Sequence, residues 1–215
     1  MPTATDKKKL AYDIIKAKII EGELAPLMDI SEDDLQKELG FSRTPVREAI
    51  QHLQKEGFVY IYPRKGTIVA EVTEDLIKEI FHMRVLNEAY IVKQACNFVP
   101  PEWLEEKKNQ FLTPPGLPPT ALRSHMMQLD RELHSGFLKY CNNRFLQNIM
   151  SVVYDHNHRI RLIVSDPRPS EGDNSVEEHL SIIEAAISKD PAAIDAFVNT
   201  HINRSRAISV RYFRR

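Results

Sequence analysis

The sequence predicts a mainly α protein in two parts: an N-terminal winged helix-turn-helix with a small β-hairpin over residues 1–72, then an all-helical bundle over 73–215. Three observations carry this. Two helical segments stand either side of Gly40 with cap chemistry at their starts, and two short runs rich in β-branched and aromatic residues follow at once around a turn. From Thr73 onward almost every periodic segment has helical spacing.

Taken in order, residues 1–7 are small, polar terminal material. Tyr12, Ile15, Ile19 and Ile20 give the helical period of a first helix that packs behind the later ones, and the stretch from Glu21 to Pro26 ends it. Ser31 with Asp34 has the form of a capping box and opens a second helix through Leu35 and Leu39, which Gly40 stops. In the third, Thr44 can cap and Pro45 suits a first turn, where a missing N–H costs nothing. Val46, Ile50 and Leu53 then form one apolar face, while Arg43 and Arg47, one turn apart, leave the same helical end on another side. Strands are expected over Phe58–Tyr62 and Thr67–Val72, with Pro63, Arg64, Lys65 and Gly66 as a turn carrying two positive charges. A helix leading with arginines suits the major groove of DNA, where guanidinium groups read guanine edges, and a basic wing tip suits phosphates or the minor groove.

The run from Leu39 to Ile50, with Glu56, Gly57 and Gly66, closely resembles the DNA-reading domain of GntR-type transcription regulators over about the first 70 residues. The resemblance implies that Arg43, Thr44, Arg47 and Gly66 match positions the family uses on operator DNA; Arg64 and Lys65 join them from the wing reading. Two departures stand out: Leu27 where many members have glycine, and Asp33 where some use arginine. The alternative for Arg43 and Arg47 is a solvated helix face. Residues 29 to 38 are acidic, so basic character is confined to Arg43 through Lys65, which predicts modest non-specific affinity and a need for two half-sites.

The 215 residues allow one large or two small domains, and a net charge of −1 argues against indiscriminate coating of nucleic acid or membrane. Cys96 and Cys141 are too few for a disulfide framework and sit in apolar helical patterns, so buried thiols in a reducing cytoplasm are expected. No signal peptide or membrane-length apolar run is seen.

In the second part, Thr73 to Asp75 cap a helix carried by Leu76, Ile80, Met83, Leu86, Tyr90 and Ala95 to about Phe98, where Pro100 and Pro101 break it. Further helices are expected at about 101–112, 119–141, 143–165, 175–189 and 191–212, with loops at 113–119 and 166–174. Polar residues of metal-ligand type interrupt three apolar stripes. Asp130 and His134 flank the stripe of Leu122, Met126, Leu129, Leu133 and Phe137; His179 shares the arc of Val176, Leu180, Ile183 and Ile187; His201 lies among Ile194, Phe197, Val198 and Ile208. An ionised carboxylate in a bundle is costly unless paired, and a divalent cation would compensate it while binding each imidazole. The competing reading makes each histidine a hydrogen-bonded core residue. Ser175 through Glu178 is read as a capping box, which accounts for Glu178.

Asp130 with His134, Glu178 with His179, and His201 with Ile202, together with Arg84, look like the effector-binding domain of the FadR-like (FCD) branch of GntR regulators over about residues 73 to 212. The resemblance implies that Asp130, His134, His179 and His201 hold zinc, nickel or manganese, whose open positions take a small carboxylate effector. Arg84 and Arg159 are candidates for a second charge contact with that effector, or for structural ion pairs. His52, His82, His125, His156 and His158 read as surface or packing residues, and Arg204, Arg206, Arg211, Arg214 and Arg215 as a solvated face or a supplementary DNA contact. The expectation is a homodimeric repressor that reads an inverted repeat in double-stranded operator DNA and is not an enzyme. The rivals are a metal-dependent enzyme using the three histidines and a regulator with a purely structural metal.

Overall fold

A computed structural model describes residues 4–164 and 175–213, so the expected loop at 166–174 and Arg214 and Arg215 lie outside the described residues. The chain splits into two compact units, Met1–Thr73 and Glu74–Arg215.

In the first unit, α1 (Ala4–Ile20) packs on α3 (Arg43–Lys55), joined through α2 (Glu32–Leu39). Ala11, Ile15 and Ile19 of α1 meet Val46, Ala49, Ile50 and Leu53 of α3 in a buried core closed by Phe58, Val59 and Val69. Ser31 caps α2, its hydroxyl accepting from Asp34 N–H at 3.2 Å, and Gly40 ends it with φ 66°, a left-handed conformation that glycine adopts without steric cost. The cap of α3 falls at Ser42 rather than at Thr44, which sits inside the first turn. Ser42 makes no side-chain cap bond, in keeping with Pro45 at the third helical position, where the usual N–H donor is missing.

The hairpin is shorter than expected: β2 covers Val59–Tyr62 and β3 Gly66–Val69. A strand absent from the sequence reading, β1 (Asp29–Ile30), pairs antiparallel with β3, giving the order β1-β3-β2. Two residues are too short for any alternation to show. At the wing tip Lys65 N–H bonds Tyr62 C=O at 3.0 Å, with Pro63 second and Arg64 third at φ 64°, the pattern of a type II turn.

The second unit consists of α4 (Glu74–Ala95), α5 (Pro101–Leu112), α6 (Pro119–Tyr140), α7 (Arg144–Val164), α8 (Ser175–Ser188) and α9 (Pro191–Phe213). α4 packs against α6, α7 and α9, and α8 against α5 and α9. Asp190 caps α9, its Oδ1 accepting from the Ala192 and Ala193 N–H groups. Cys96 and Cys141 are buried free thiols.

Three expected stripes are rotated. On α4, Leu86 and Tyr90 are 62% and 45% exposed, and the buried arc runs through Ile77, Phe81, Arg84, Glu88, Ile91 and Ala95. A count of apolar residues misses that arc because Arg84 and Glu88 are buried as each other's partner. On α9 Phe197 and Ile208 lie outward while Ile194, Val198 and Ile202 are buried, and on α8 Ile187 is exposed while Ile182 is buried.

Candidate metal centre and DNA-reading surface

Asp130 and His134 stand one turn apart on α6, His179 near the start of α8, and His201 in the middle of α9. Packing brings one candidate ligand atom from each to within 4.8 Å of the others, and all four residues are buried.

Each imidazole turns Nδ1 toward an acceptor: His179 toward Ser175 C=O at 2.5 Å, His201 toward Glu178 Oε2 at 3.0 Å, and His134 toward Glu88 Oε2 at 2.8 Å. A carbonyl or carboxylate can only accept, so Nδ1 carries a proton in all three rings, and in a neutral ring Nε2 keeps its lone pair. His134 Nε2, His179 Nε2 and Asp130 Oδ1 are buried without a well-aligned hydrogen bond among the described residues. Yet His179 Nε2 lies only 2.9 Å from Asp130 Oδ1, and His134 Nε2 lies 3.9 Å from it. Lone pairs facing one another in a dry interior are unfavourable unless a proton or a metal ion lies between them. Histidine that donates outward from one nitrogen while offering the other inward is the usual arrangement around a bound metal.

The charges match. Burial alone would raise the Asp130 carboxyl, but Arg161, which is paired with its other oxygen, and the neighbouring His179 and His134 hold it well below the usual carboxylate range. Burial, reinforced by His179, pushes His201 down to about 3, so the ring is neutral. An ionised carboxylate at Asp130 and a neutral imidazole at His201 are protonation states that a divalent cation requires. The donor set therefore fits a metal ion.

A cleft beside the tetrad is lined by Arg84, Arg131, Tyr154, Asn157 and Arg161, with Asp130 and His134 in its wall. Arg84 is fixed deep in it by Glu88 and by Asn157 Oδ1 at 3.0 Å. Against burial, which would raise it, Arg84 and His134 bring Glu88 down to about 2. Arg159, buried on α7, is not among the lining residues. At about 100° per residue, Asn157 and Arg161 share one arc of α7 and Arg159 falls on the opposite one.

Sequence reasoning missed Glu88 and Arg161, and it named Glu178 without its partners. Glu178 reaches beyond its own helix: its Oε2 accepts from His201 and its Oε1 from Arg204 at 2.6 Å. That contact also removes Arg204 from the solvated face assigned to it. The helical spacing of Arg84 and Glu88 was the available signal for Glu88.

In the first unit, Arg43, Thr44 and Arg47 are exposed on the leading turns of α3, and Arg64, Lys65 and Gly66 are exposed at the wing tip. Gly66 has φ 132°, open to glycine and strained for any side chain. Arg43 Nη2 lies 2.9 Å from Asp33 Oδ1 on α2.

A winged helix-turn-helix joined to a helical bundle with a buried His/Asp cluster is the architecture of a DNA-binding transcription regulator. Residues 7–69 match the bacterial regulatory proteins of the gntR family, and residues 79–204 match the FCD domain. The chain belongs to the GntR family of transcription regulators, with an FCD domain, and is not an enzyme. It is 27% identical over 195 residues to the HTH-type transcriptional regulator YdhC of Bacillus subtilis, covering 89% of this chain and 86% of that one. It is 25% identical over 217 residues to the HTH-type transcriptional repressor NanR of an Enterobacter strain, covering 92% and 81%. The fold is similar to that of McbR/YncC of Escherichia coli, with a TM-score of 0.76 over 98% of this chain and 99% of that one at 18% identity.

Proposed function

We propose that this regulator is a homodimeric repressor whose hold on an inverted-repeat operator is controlled by a small carboxylate bound at a metal in the helical bundle. The observation that carries the sensing half is the convergence of Asp130, His134, His179 and His201, all buried, with one candidate ligand atom from each within 4.8 Å of the others. Asp130, His134, His179 and His201 would hold zinc, nickel or manganese. Such an ion supplies a residual positive charge and open positions for oxygen ligands.

The chain's own residues meet the rest of the effector. Arg161 and Arg131, whose side chains are 25% and 34% exposed, offer guanidinium groups at the cleft, while Glu88 and Asn157 hold Arg84 beneath. Arg161 takes the place that Arg159 has in the sequence reading. A carboxylate that engages Arg161 competes with Asp130 for the same guanidinium, which ties effector binding to the arrangement of α6 and α7.

On DNA, Arg43, Thr44 and Arg47 address the major groove and Arg64, Lys65 and Gly66 the wing contact. Leu86 and Tyr90, one turn apart on α4, leave apolar surface suited to a second copy. Repression is supported by likeness to NanR, a named repressor. By linkage, an effector that weakens operator binding must itself bind less tightly to the DNA complex.

The test is metal analysis of the purified protein, then thermal-shift screening of small acids, then operator binding with each hit. A metal-dependent hit that changes operator affinity is expected. A protein that binds metal but whose operator affinity no acid alters would leave the metal as a structural staple and end the sensing proposal.

A further inference from the structure

The pair between Asp33 and Arg43 bridges the two helices of the helix-turn-helix at the surface that reads DNA. Asp33 stands in the first turn of α2 and Arg43 is the first residue of α3. Arg43 Nη2 donates to Asp33 Oδ1 at 2.9 Å, and Gln36 Nε2 donates to the same oxygen at 3.2 Å. Both side chains are about two-thirds exposed, at 65% for Arg43 and 67% for Asp33. An ion pair that open to solvent contributes only about 0–1 kcal/mol. Stability therefore does not explain why a carboxylate stands beside the leading arginine of a helix that must approach a polyanion.

Orientation does explain it. A free arginine has several rotatable bonds and loses that freedom when it forms two parallel hydrogen bonds to a guanine. One N–H committed to Asp33 leaves four donors, and the carboxylate, itself steadied by Gln36, limits the directions in which the fork can point. The same carboxylate cancels the charge that Arg43 would bring to phosphates, so it lowers affinity for any sequence while sharpening the response to one.

We infer that Asp33 is a specificity-determining positioning residue, which holds Arg43 for base reading and suppresses its use as a general phosphate contact. This rests on the proposed reading of Arg43 as a DNA contact. The experiment keeps the two apart.

The full-length wild-type chain is used to select sites from a random-sequence duplex pool. Binding of wild type, Asp33→Ala, Asp33→Asn, Arg43→Ala and the Asp33→Ala/Arg43→Ala double variant is then measured on the selected duplex, on its single-base variants, and on an unrelated duplex. Asp33→Ala should bind the unrelated duplex more tightly and with a steeper salt dependence. It should also lose about tenfold in discrimination at the base pair where Arg43→Ala loses it, the size of one good base contact. In the Arg43→Ala background, removing Asp33 should cost no further discrimination. Asp33→Asn, which keeps an acceptor oxygen without the charge, should retain more discrimination than Asp33→Ala.

Full discrimination by Asp33→Ala, with loss by Arg43→Ala, would overturn the positioning role and leave Arg43 as a reader. Loss by Asp33→Ala at a base pair that Arg43→Ala still reads would make Asp33 a direct reader and overturn the inference. Undiminished discrimination by Arg43→Ala would remove the underlying assignment of Arg43 itself.

Discussion

His179 Nε2 stands 2.9 Å from Asp130 Oδ1, while the proton of the ring is directed to the Ser175 carbonyl on the far side. With His134 Nε2 3.9 Å from that oxygen, the four buried residues are placed so that a divalent ion could share them.

Metal loading should therefore stabilise the bundle. At a hundredfold excess over its dissociation constant a native-state ligand adds about 2.7 kcal/mol, so chelation should lower the melting temperature by several degrees and zinc, nickel or manganese should restore it. His179→Ala and Asp130→Asn should abolish that response. If the chelated and loaded proteins melt at the same temperature with stoichiometric metal present in one alone, the tetrad is not the site.

Acidification should unfold the metal-free protein from the tetrad outward. His201 titrates near 3 when folded against an ordinary 6.5, so between those values the unfolded chain binds the extra proton and stability falls as pH falls. The loss from this ring at pH 5 is on the order of 2 kcal/mol. Glu88, held near 2, and Asp130, held low, add losses of the same sign at more acid pH. Urea midpoints at pH 7.5 and pH 5 measure it, and equal midpoints would contradict a neutral buried His201.

Arg47 is exposed on the leading turns of α3. As a bidentate base contact it is worth about 1–3 kcal/mol, so Arg47→Ala should weaken binding to a selected operator by that amount and flatten preference at one base pair. Anisotropy titrations at fixed salt decide the point. A uniform loss across all sequences would make Arg47 a phosphate contact instead.

Leu27 holds a left-handed conformation at φ 66° with its side chain 59% exposed, and its N–H bonds Val69 C=O at 3.0 Å. Glycine takes that conformation freely, so Leu27→Gly should stabilise the first unit by about 1 kcal/mol in urea denaturation. A destabilised variant would mean that the side chain contributes more than the backbone costs.

Much of this protein is legible along the chain. The capped second helix, the arginines at the head of the third, the turn around Pro63, and helices bounded by prolines, Gly40 or Asp190 all depend on contacts within a few residues, and helical period and cap chemistry are local properties. The four residues of the tetrad could be picked out for the same reason, as polar interruptions of apolar stripes.

Tertiary structure alone decided the remainder. Two-residue β1 exists because β3 is there to pair with it, and the buried arc of α4 passes through Arg84 and Glu88 because each compensates the other. Glu178 faces His201 and Arg204 from another helix, Arg161 rather than Arg159 reaches the cleft, and Asp33 holds Arg43 across a turn. Each depends on which side chains meet across elements, and a hydrogen bond or ion pair acts over only a few ångströms. Spacing along the chain can place a residue on a face, but the partner that determines its chemistry is chosen by packing.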